Sequence, residues 1–457
     1  MNASIPPNTQ LFGLTNRATY KIDRFIARGG EGEVYALKGR SSHVAKIYRT
    51  PMDRSKVKKL ATMIRCSTSN ISNIAAWPVD IVQSKSKQPL GFIMPFIQDG
   101  MPLHMILNPK TRLQHRPNHD FASLVRIAQN TASAVSTLHQ AGVVIGDMNG
   151  QNFLALRNGT VRAIDCDSMQ IGGGSKWGTQ VGVEEYTAPE LQGLNLKNIT
   201  RTKTHDNFAL AVLLFELLVL GRHPFSGNAN LEVGAAIKKA RHIFAAKGPE
   251  RDVFKVFRFH PADILTPEVI DLFGRAFDLP RKKKLLGGST QRPDAGEWAV
   301  ALAGLANQLA VCSKNAAHHY NGSAKSCPWC ALEKRGVPKF FETNKSVKSF
   351  PSPATETHFP ENDTSGWIDV VTLKLKSYAY QIVRAILGYF AALIKKAIRS
   401  LLNLFMGAIN STINLFARLF KFISNLLFQL LTAAVRHWLF WLLVAYSSLR
   451  WLGLFET

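Results

Sequence analysis

Acidic residues are scarce in this chain. Its 457 residues hold 31 Asp and Glu against 56 Lys and Arg, a formal net charge of +25. Such a balance favours polyanions as partners: a nucleotide, nucleic acid or an anionic membrane surface. Cysteine is scarcer still. Cys66, Cys166, Cys312, Cys327 and Cys330 are too few and too unevenly spread for a disulfide framework, so a reducing compartment is expected. The first residues, MNASIPPNTQLFG, lack a basic stretch followed by an apolar run, so no secretory signal is expected. Charged residues make up only 19% of the chain and hydrophobic ones 46%, which excludes global disorder and allows a sizeable core. The length suggests two or three units.

Between residues 20 and 100, short apolar runs alternate with Gly-rich or polar turns, and VYAL, HVAKIY and GFIMPFI read as strands. Residues 120–142 carry apolar side chains at helical spacing, from Leu124 and Ile127 to Val135 and Leu138. Two apolar pieces, VVIGD and VRAIDCD, follow, with an Asn158-Gly159 turn between them. Residues 206–220 are apolar almost all round and predict a buried helix. Residues 268–310 are helical in pattern, broken by the basic run RKKKLLGGS. Residues 342–366 are polar and rich in Pro, Ser and Thr, as a linker is, and residues 367–457 are strongly apolar and aromatic.

Four groups of residues suit phosphate chemistry. Ala27-Arg28-Gly29-Gly30-Glu31-Gly32-Glu33-Val34 lies between two predicted strands, and its glycines let backbone N–H groups approach phosphates. Lys46, twelve residues after Val34, stands in an apolar strand and needs an anionic partner. Asp147 and Asn152, five apart on a tight loop, can share a site: Asp147 to accept a hydroxyl proton, Asn152 to ligate a metal. Asp165 ends an apolar strand and can hold Mg²⁺, a hard cation that prefers oxygen.

The order of these groups, followed by Ala188-Pro189-Glu190, resembles the signature set of the eukaryote-like protein kinase superfamily. Asp206, Gly221-Arg222-His223-Pro224-Phe225 and Arg292-Pro293-Asp294-Ala295 resemble its later motifs. The resemblance implies an α+β, two-lobed protein-kinase-like fold, with an N-lobe over 15–98 and a C-lobe over 99–310. It implies an ATP- and Mg²⁺-dependent kinase acting on Ser/Thr hydroxyls of a protein substrate. By position, Lys46 would hold the α- and β-phosphates, Asp147 would be the catalytic base, and Asn152 and Asp165 the Mg²⁺ ligands. Gly29, Gly30 and Gly32 would cover the phosphates, with Ala27 and Val34 beside them among the nucleotide-binding residues. Met94-Pro95-Phe96 would be the hinge, with Met94 and Phe96 against adenine. Asp206 would brace the catalytic loop, and Arg292 would pair with Glu190.

The chain departs from the pattern at several points. The family's H-R-D is Ile145-Gly146-Asp147, and its D-F-G is Asp165-Cys166-Asp167. The Lys expected two residues after the catalytic Asp is Asn149, and the Thr expected after Gly182 is Val183. No Glu lies between Ile47 and Ser69 to pair with Lys46, so Glu31 or Glu33 is considered in its place. The alternative function is accordingly a pseudokinase: a nucleotide-binding signalling scaffold without phosphotransfer.

Residues 311–341 contain Cys312, His318, His319 and Cys327-Pro328-Trp329-Cys330. A C-x2-C knuckle lets two thiolates grip one tetrahedral Zn²⁺. The expected ligands of a small zinc-ribbon-like module are Cys312, Cys327, Cys330 and one of the two histidines, His319 being the one taken. A redox C-x-x-C is the rival. With this module, the chain resembles a bacterial family of kinase-like proteins over about residues 15–341. That resemblance implies a metal-dependent Ser/Thr protein phosphatase and a von Willebrand A-type protein as partners. On a helical projection of residues 400–450, Asn403, Asn414, Asn425, Arg436 and Ser447 repeat every eleven residues along one polar stripe. No stretch of about 20 residues is both apolar and free of charge, which weakens a simple spanning helix. A long amphipathic helical tail lying on an anionic membrane is expected, with a helical bundle or a spanning oligomer as alternatives. Localisation would then be cytoplasmic and membrane-associated. Nucleic acid is not an expected partner.

Overall fold

The structure, a computed structural model, describes residues 5–172, 177–179, 181–227, 231–244, 261–278, 292–342, 419, 421–440 and 444. The alternating N-terminal segments form β1 (Gln10–Gly13), β2 (Thr19–Arg28), β3 (Gly32–Leu37), β4 (His43–Tyr48), β5 (Asp80–Gln83) and β6 (Pro89–Pro95). They close into an antiparallel barrel in the order β1-β2-β3-β4-β6-β5. β1 supplies the closing strand, pairing Phe12 with Thr19 on one side and Gln83 on the other. The N-lobe thus starts before residue 15. Leu11, Tyr20, Ile22, Tyr35, Ala45, Val82 and Ile93 fill the barrel. Each follows from the strand period, which sends alternate side chains inward.

Helix α1 (Arg54–Arg65) leaves the barrel after β4. Asp53, the one acid in that stretch, caps it by accepting a bond from the Lys56 N–H, which satisfies an otherwise orphaned helix donor. The helix buries Lys59, Leu60 and Met63. A short α2 (Ser69–Ser72) follows.

The second lobe is mainly helical. It begins with β7 (Met101–Pro102), α3 (Leu103–Leu107), α4 (Pro109–His115) and α5 (Phe121–Gln140). β8 (Phe153–Ala155) and β9 (Val161–Ala163) then form a three-stranded sheet with β7. VVIGD forms no strand; Val144 makes only an isolated bridge to Gln170. The all-apolar segment becomes α6 (Lys203–Leu218), in which every residue from Asp206 to Phe215 is buried. Its Phe215 packs edge-on against Phe273 and Phe277 of α8 (Pro267–Phe277). Each fully buried side chain of this kind contributes roughly 1.5–3 kcal/mol, which is why the segment sits at the lobe's centre. α7 (Val233–Lys238) and α9 (Ala295–Asn307) complete this layer.

The cysteine segment forms a hairpin of β10 (Leu309–Cys312) and β11 (Asn315–Asn321), then α10 (Pro328–Lys334). It is built into the C-lobe's own core. Trp329 packs 5.2 Å from Phe121 and 5.0 Å from Phe341, centroid to centroid. The buried Arg112 donates to the carbonyls of Ile106 and Phe340.

The chain divides into one unit over residues 1–355 and another over 356–457. The 342–366 linker, apart from Glu342, and most of the 367–457 tail lie outside the described residues. So does the RKKKLLGGS run. Within the second unit, residues 421–440 are helical and expose Phe422, Ile423, Leu427, Phe428, Leu431 and Trp438. No helix among the described residues is long and apolar enough to cross a membrane.

Candidate active site

The Gly-rich segment is the turn joining β2 and β3. Ala27 pairs with Val34 across the ladder, and the Gly29 N–H donates to the Gly32 carbonyl at 2.8 Å. Gly29 and Gly30 therefore sit in the turn itself. Gly32 answers a different need: a Cβ there would stand 2.4 Å from the Ile47 carbonyl oxygen of β4. The hinge segment is partly committed. The Phe96 N–H already donates to the Ser42 carbonyl at 2.8 Å, and Pro95 has no N–H. Met94 pairs with Val44 in the ladder.

Lys46 is buried, not placed on an open edge; β4 lies between β3 and β6. Its Nζ lies 2.5 Å from Asp165 Oδ1 and 2.7 Å from Asp167 Oδ1. Burial works against its charge, but the two carboxylates outweigh that and raise its pKa above the ordinary lysine value. Neither acid considered from sequence is the partner. Glu31 pairs with Lys56, and Glu33 pairs with Arg28 and accepts from the Tyr35 hydroxyl.

Asp147 and Asn152 come together as their spacing suggested. Asn152 donates its side-chain N–H to the Asp147 carbonyl at 2.7 Å, which leaves its own side-chain oxygen as the group available to a metal. Burial raises the Asp147 carboxyl above the ordinary aspartate value, against the donors from Asn149 and Asn152. A base raised in this way accepts a proton more readily near neutral pH. Asn149 stands where a lysine was expected, and its amide lies 3.2 Å from Asp147 Oδ1. Asp147 thus keeps a side-chain donor at this position, but a neutral one. Asp165 has φ +56° just after β9, with its side chain 43% exposed. Asn152 and Asp165 can both offer oxygen to a hard cation. The Asn152 carbonyl accepts from the Ile164 N–H at 2.9 Å and ties the two loops together.

The catalytic loop is held from below. Asp206 accepts from the Ile145 N–H at 2.7 Å, the Gly146 N–H at 2.8 Å and His139 Nε2 at 2.9 Å. Gly146 has φ +73°, and a Cβ there would lie 2.4 Å from Thr179 Oγ1. The arginine usual at this point therefore has no room. Arg201 is buried nearby and donates to the Val181 carbonyl at 3.2 Å. Arg292 forks onto both oxygens of Glu190, at 2.6 and 2.7 Å.

The second cluster corrects one expected ligand. Cys312, Cys327, Cys330 and His318, not His319, bring one ligand atom each to within 4.8 Å of one another. Cys312 and Cys330 Sγ are 3.6 Å apart, and His318 Nδ1 lies 3.5 Å from Cys330 Sγ and 3.6 Å from Cys327 Sγ. A tetrahedral centre with Zn–S near 2.3 Å needs separations of about 3.7 Å, so the donor set fits zinc. Thiols at that spacing form no disulfide, and the cysteines are free. His319 points the other way because neighbours on a strand face opposite sides. It lies 2.8 Å from Asp120, which also caps α5. His318 Nε2 in turn lies 3.3 Å from Glu333, the outer partner that metal-bound histidines commonly have.

A barrel lobe and a helical lobe meeting at a Lys-Asp-Asn-Asp cleft define a protein kinase. The protein kinase domain family matches residues 20–285, and the chain belongs to that family. It is 36% identical over 348 residues to protein kinase YegI of Escherichia coli strain K12, covering 74% of this chain and 53% of that protein. YegI of Escherichia coli O157:H7 gives 36% over 332 residues, covering 71% and 50%. The probable serine/threonine-protein kinase PknB of Lactococcus lactis is 25% identical over 227 residues, covering 47% and 33%. The chain spans about half the length of the two YegI proteins.

Proposed function

We propose that this kinase transfers the γ-phosphoryl group of ATP to Ser or Thr hydroxyls of a protein, with Mg²⁺ as cofactor. The observation that carries the reading is convergence: Lys46 from β4, Asp147 and Asn152 from the catalytic loop and Asp165 from just after β9 face one cleft. Bound Mg²⁺ would neutralise charge developing on the phosphates, and Asn152 and Asp165 are the residues to hold it. Asp147 takes the proton of the attacking hydroxyl. Lys46 steadies the α- and β-phosphates, and the β2–β3 turn covers them with its backbone N–H groups. The likeness to proteins named as serine/threonine kinases supports the substrate class. A structural Zn²⁺ in the cysteine centre, with a tail on an anionic cytoplasmic membrane surface, completes the reading. A metal-dependent phosphatase and a von Willebrand A-type protein are proposed as partners.

Labelled ATP with a protein acceptor tests phosphotransfer. Label should appear on Ser or Thr with the wild-type chain and vanish in Asp147→Ala and Asp165→Ala. Equal labelling by all three would remove the claim. The absence of the usual helix-borne acid opposite Lys46 favours the second reading, a scaffold that binds ATP without turnover. Thermal stabilisation by ATP with no transfer of label would select it.

A further inference from the structure

In protein kinases the strand lysine is oriented by a glutamate on the helix that follows it. Here the buried face of α1 presents Lys59 to this region. A carboxylate has instead appeared at Asp167, where a permissive glycine is usual. The acid missing from the helix and the acid gained beside Asp165 sit around the same lysine. Asp167 Oδ1 is 2.7 Å from Lys46 Nζ, and Asp167 Oδ2 accepts from the Tyr48 hydroxyl at 2.5 Å. Lys59 Nζ donates to the Asp167 backbone carbonyl at 2.7 Å. Asp167 is only 5% exposed, with both carboxylate oxygens engaged, so it is poorly placed as a second metal ligand. Asp165 differs: its side chain is 43% exposed and it touches Lys46 through one oxygen.

We propose that Asp167 is the positioning residue for Lys46, taking over the task of the helix-borne glutamate, with Lys59 and Tyr48 fixing it in place. This rests on the reading of Lys46 as the phosphate-holding lysine. When nucleotide and metal occupy the cleft, Asp165 turns to the metal, and Asp167 remains to hold Lys46 against the phosphates. The exchange also changes regulation. A glutamate on a helix can be withdrawn by moving the helix, which uncouples the lysine. Here the partner belongs to the Asp165-Cys166-Asp167 segment itself, so movement of α1 acts on Lys46 indirectly, through Lys59 on the Asp167 carbonyl and Lys56 over the Tyr48 ring.

The test is a double-mutant cycle in the full chain, read by Mg-ATP affinity and by turnover. Asp167→Asn keeps the shape and can still receive the Tyr48 bond. It should weaken ATP binding or turnover by about tenfold or more, as misplacing a phosphate-holding group does. Lys46→Met should do the same, and adding Asp167→Asn to it should cost nothing further, because Asp167 acts through Lys46. Asp167→Glu should retain part of the function. Moving the acid back, in Lys59→Glu with Asp167→Gly, should recover activity that Asp167→Gly alone has lost. A thermal melt of each variant separates unfolding from mispositioning. Wild-type function in Asp167→Asn, or full additivity with Lys46→Met, overturns the proposal. If the wild type binds ATP without turnover, phosphotransfer is what fails, and the affinity cycle still judges Asp167.

Discussion

The cleft and the cysteine centre solve opposite problems. In the cleft, charged groups from segments more than a hundred residues apart meet at an opening between lobes; Lys46 and Asp165 are separated by 119 positions. In the cysteine centre, four ligands from within residues 312–330 close on one buried point. One site needs an accessible pocket with unsatisfied oxygen donors, the other a sealed set of donors. Losing a side chain from the first should stop chemistry and spare the fold. Losing one from the second should damage the fold, since Trp329 beside the ligands packs against the start of α5.

The largest effect should come from the metal centre. Cys327→Ser, His318→Ala or treatment with a strong chelator should lower the melting temperature by about 10 °C or more, given how much structural zinc contributes to small modules. Zinc content measured by atomic absorption should fall in the same variants. His319→Ala should keep its zinc, and equal metal loss in both histidine variants would break the ligand assignment. Next in size, Asp147→Ala should reduce turnover by about 10²–10⁴-fold with an unchanged melting temperature, because only the base is lost. A large drop in melting temperature would blur the contrast between the sites.

Arg292→Ala should cost about 2–3 kcal/mol in urea unfolding by leaving Glu190 without its bidentate partner. Glu216→Gln should act through the pH dependence of stability alone. Burial first, and the negative charge of Glu185 after it, push the Glu216 carboxyl up to about 7, although the Tyr186 hydroxyl bond works the other way. The folded state therefore holds a proton that the unfolded state releases near pH 4.5. Wild-type stability should decline as pH rises from about 4.5 to 7 and then level off. The Gln variant should lose that slope and be the more stable at pH 8, by up to about 3 kcal/mol. A parallel decline in both proteins would show that other groups set the slope.

Much of the cleft was legible because each of its motifs is local. A glycine turn between strands, an Asp and an Asn five apart and an acid at a strand end are short patterns with their own conformational causes. The α6 segment was legible for the same reason: an all-round apolar helix has to be buried. The Lys46 partner was not. Asp167 is visible in the sequence, but nothing local tells whether its carboxylate turns to the metal or to the lysine. Lys59 looks like an ordinary surface lysine of a basic helix until its burial is seen. The histidine choice failed for a smaller reason. His318 and His319 are equivalent by spacing, and only the strand phase of β11 separates them. β1 was missed because four residues carry too little pattern to predict a strand that closes a barrel.

Composition and the order of motifs alone therefore pointed to the protein kinase family, since a glycine turn, a strand lysine, an Asp-Asn pair and a strand-end Asp in that order fit few other folds. The packed fold decided who faces whom. Side-chain direction depends on strand phase, on helix face and on which buried charges must neutralise one another, and those are properties of the whole lobe, not of any short stretch.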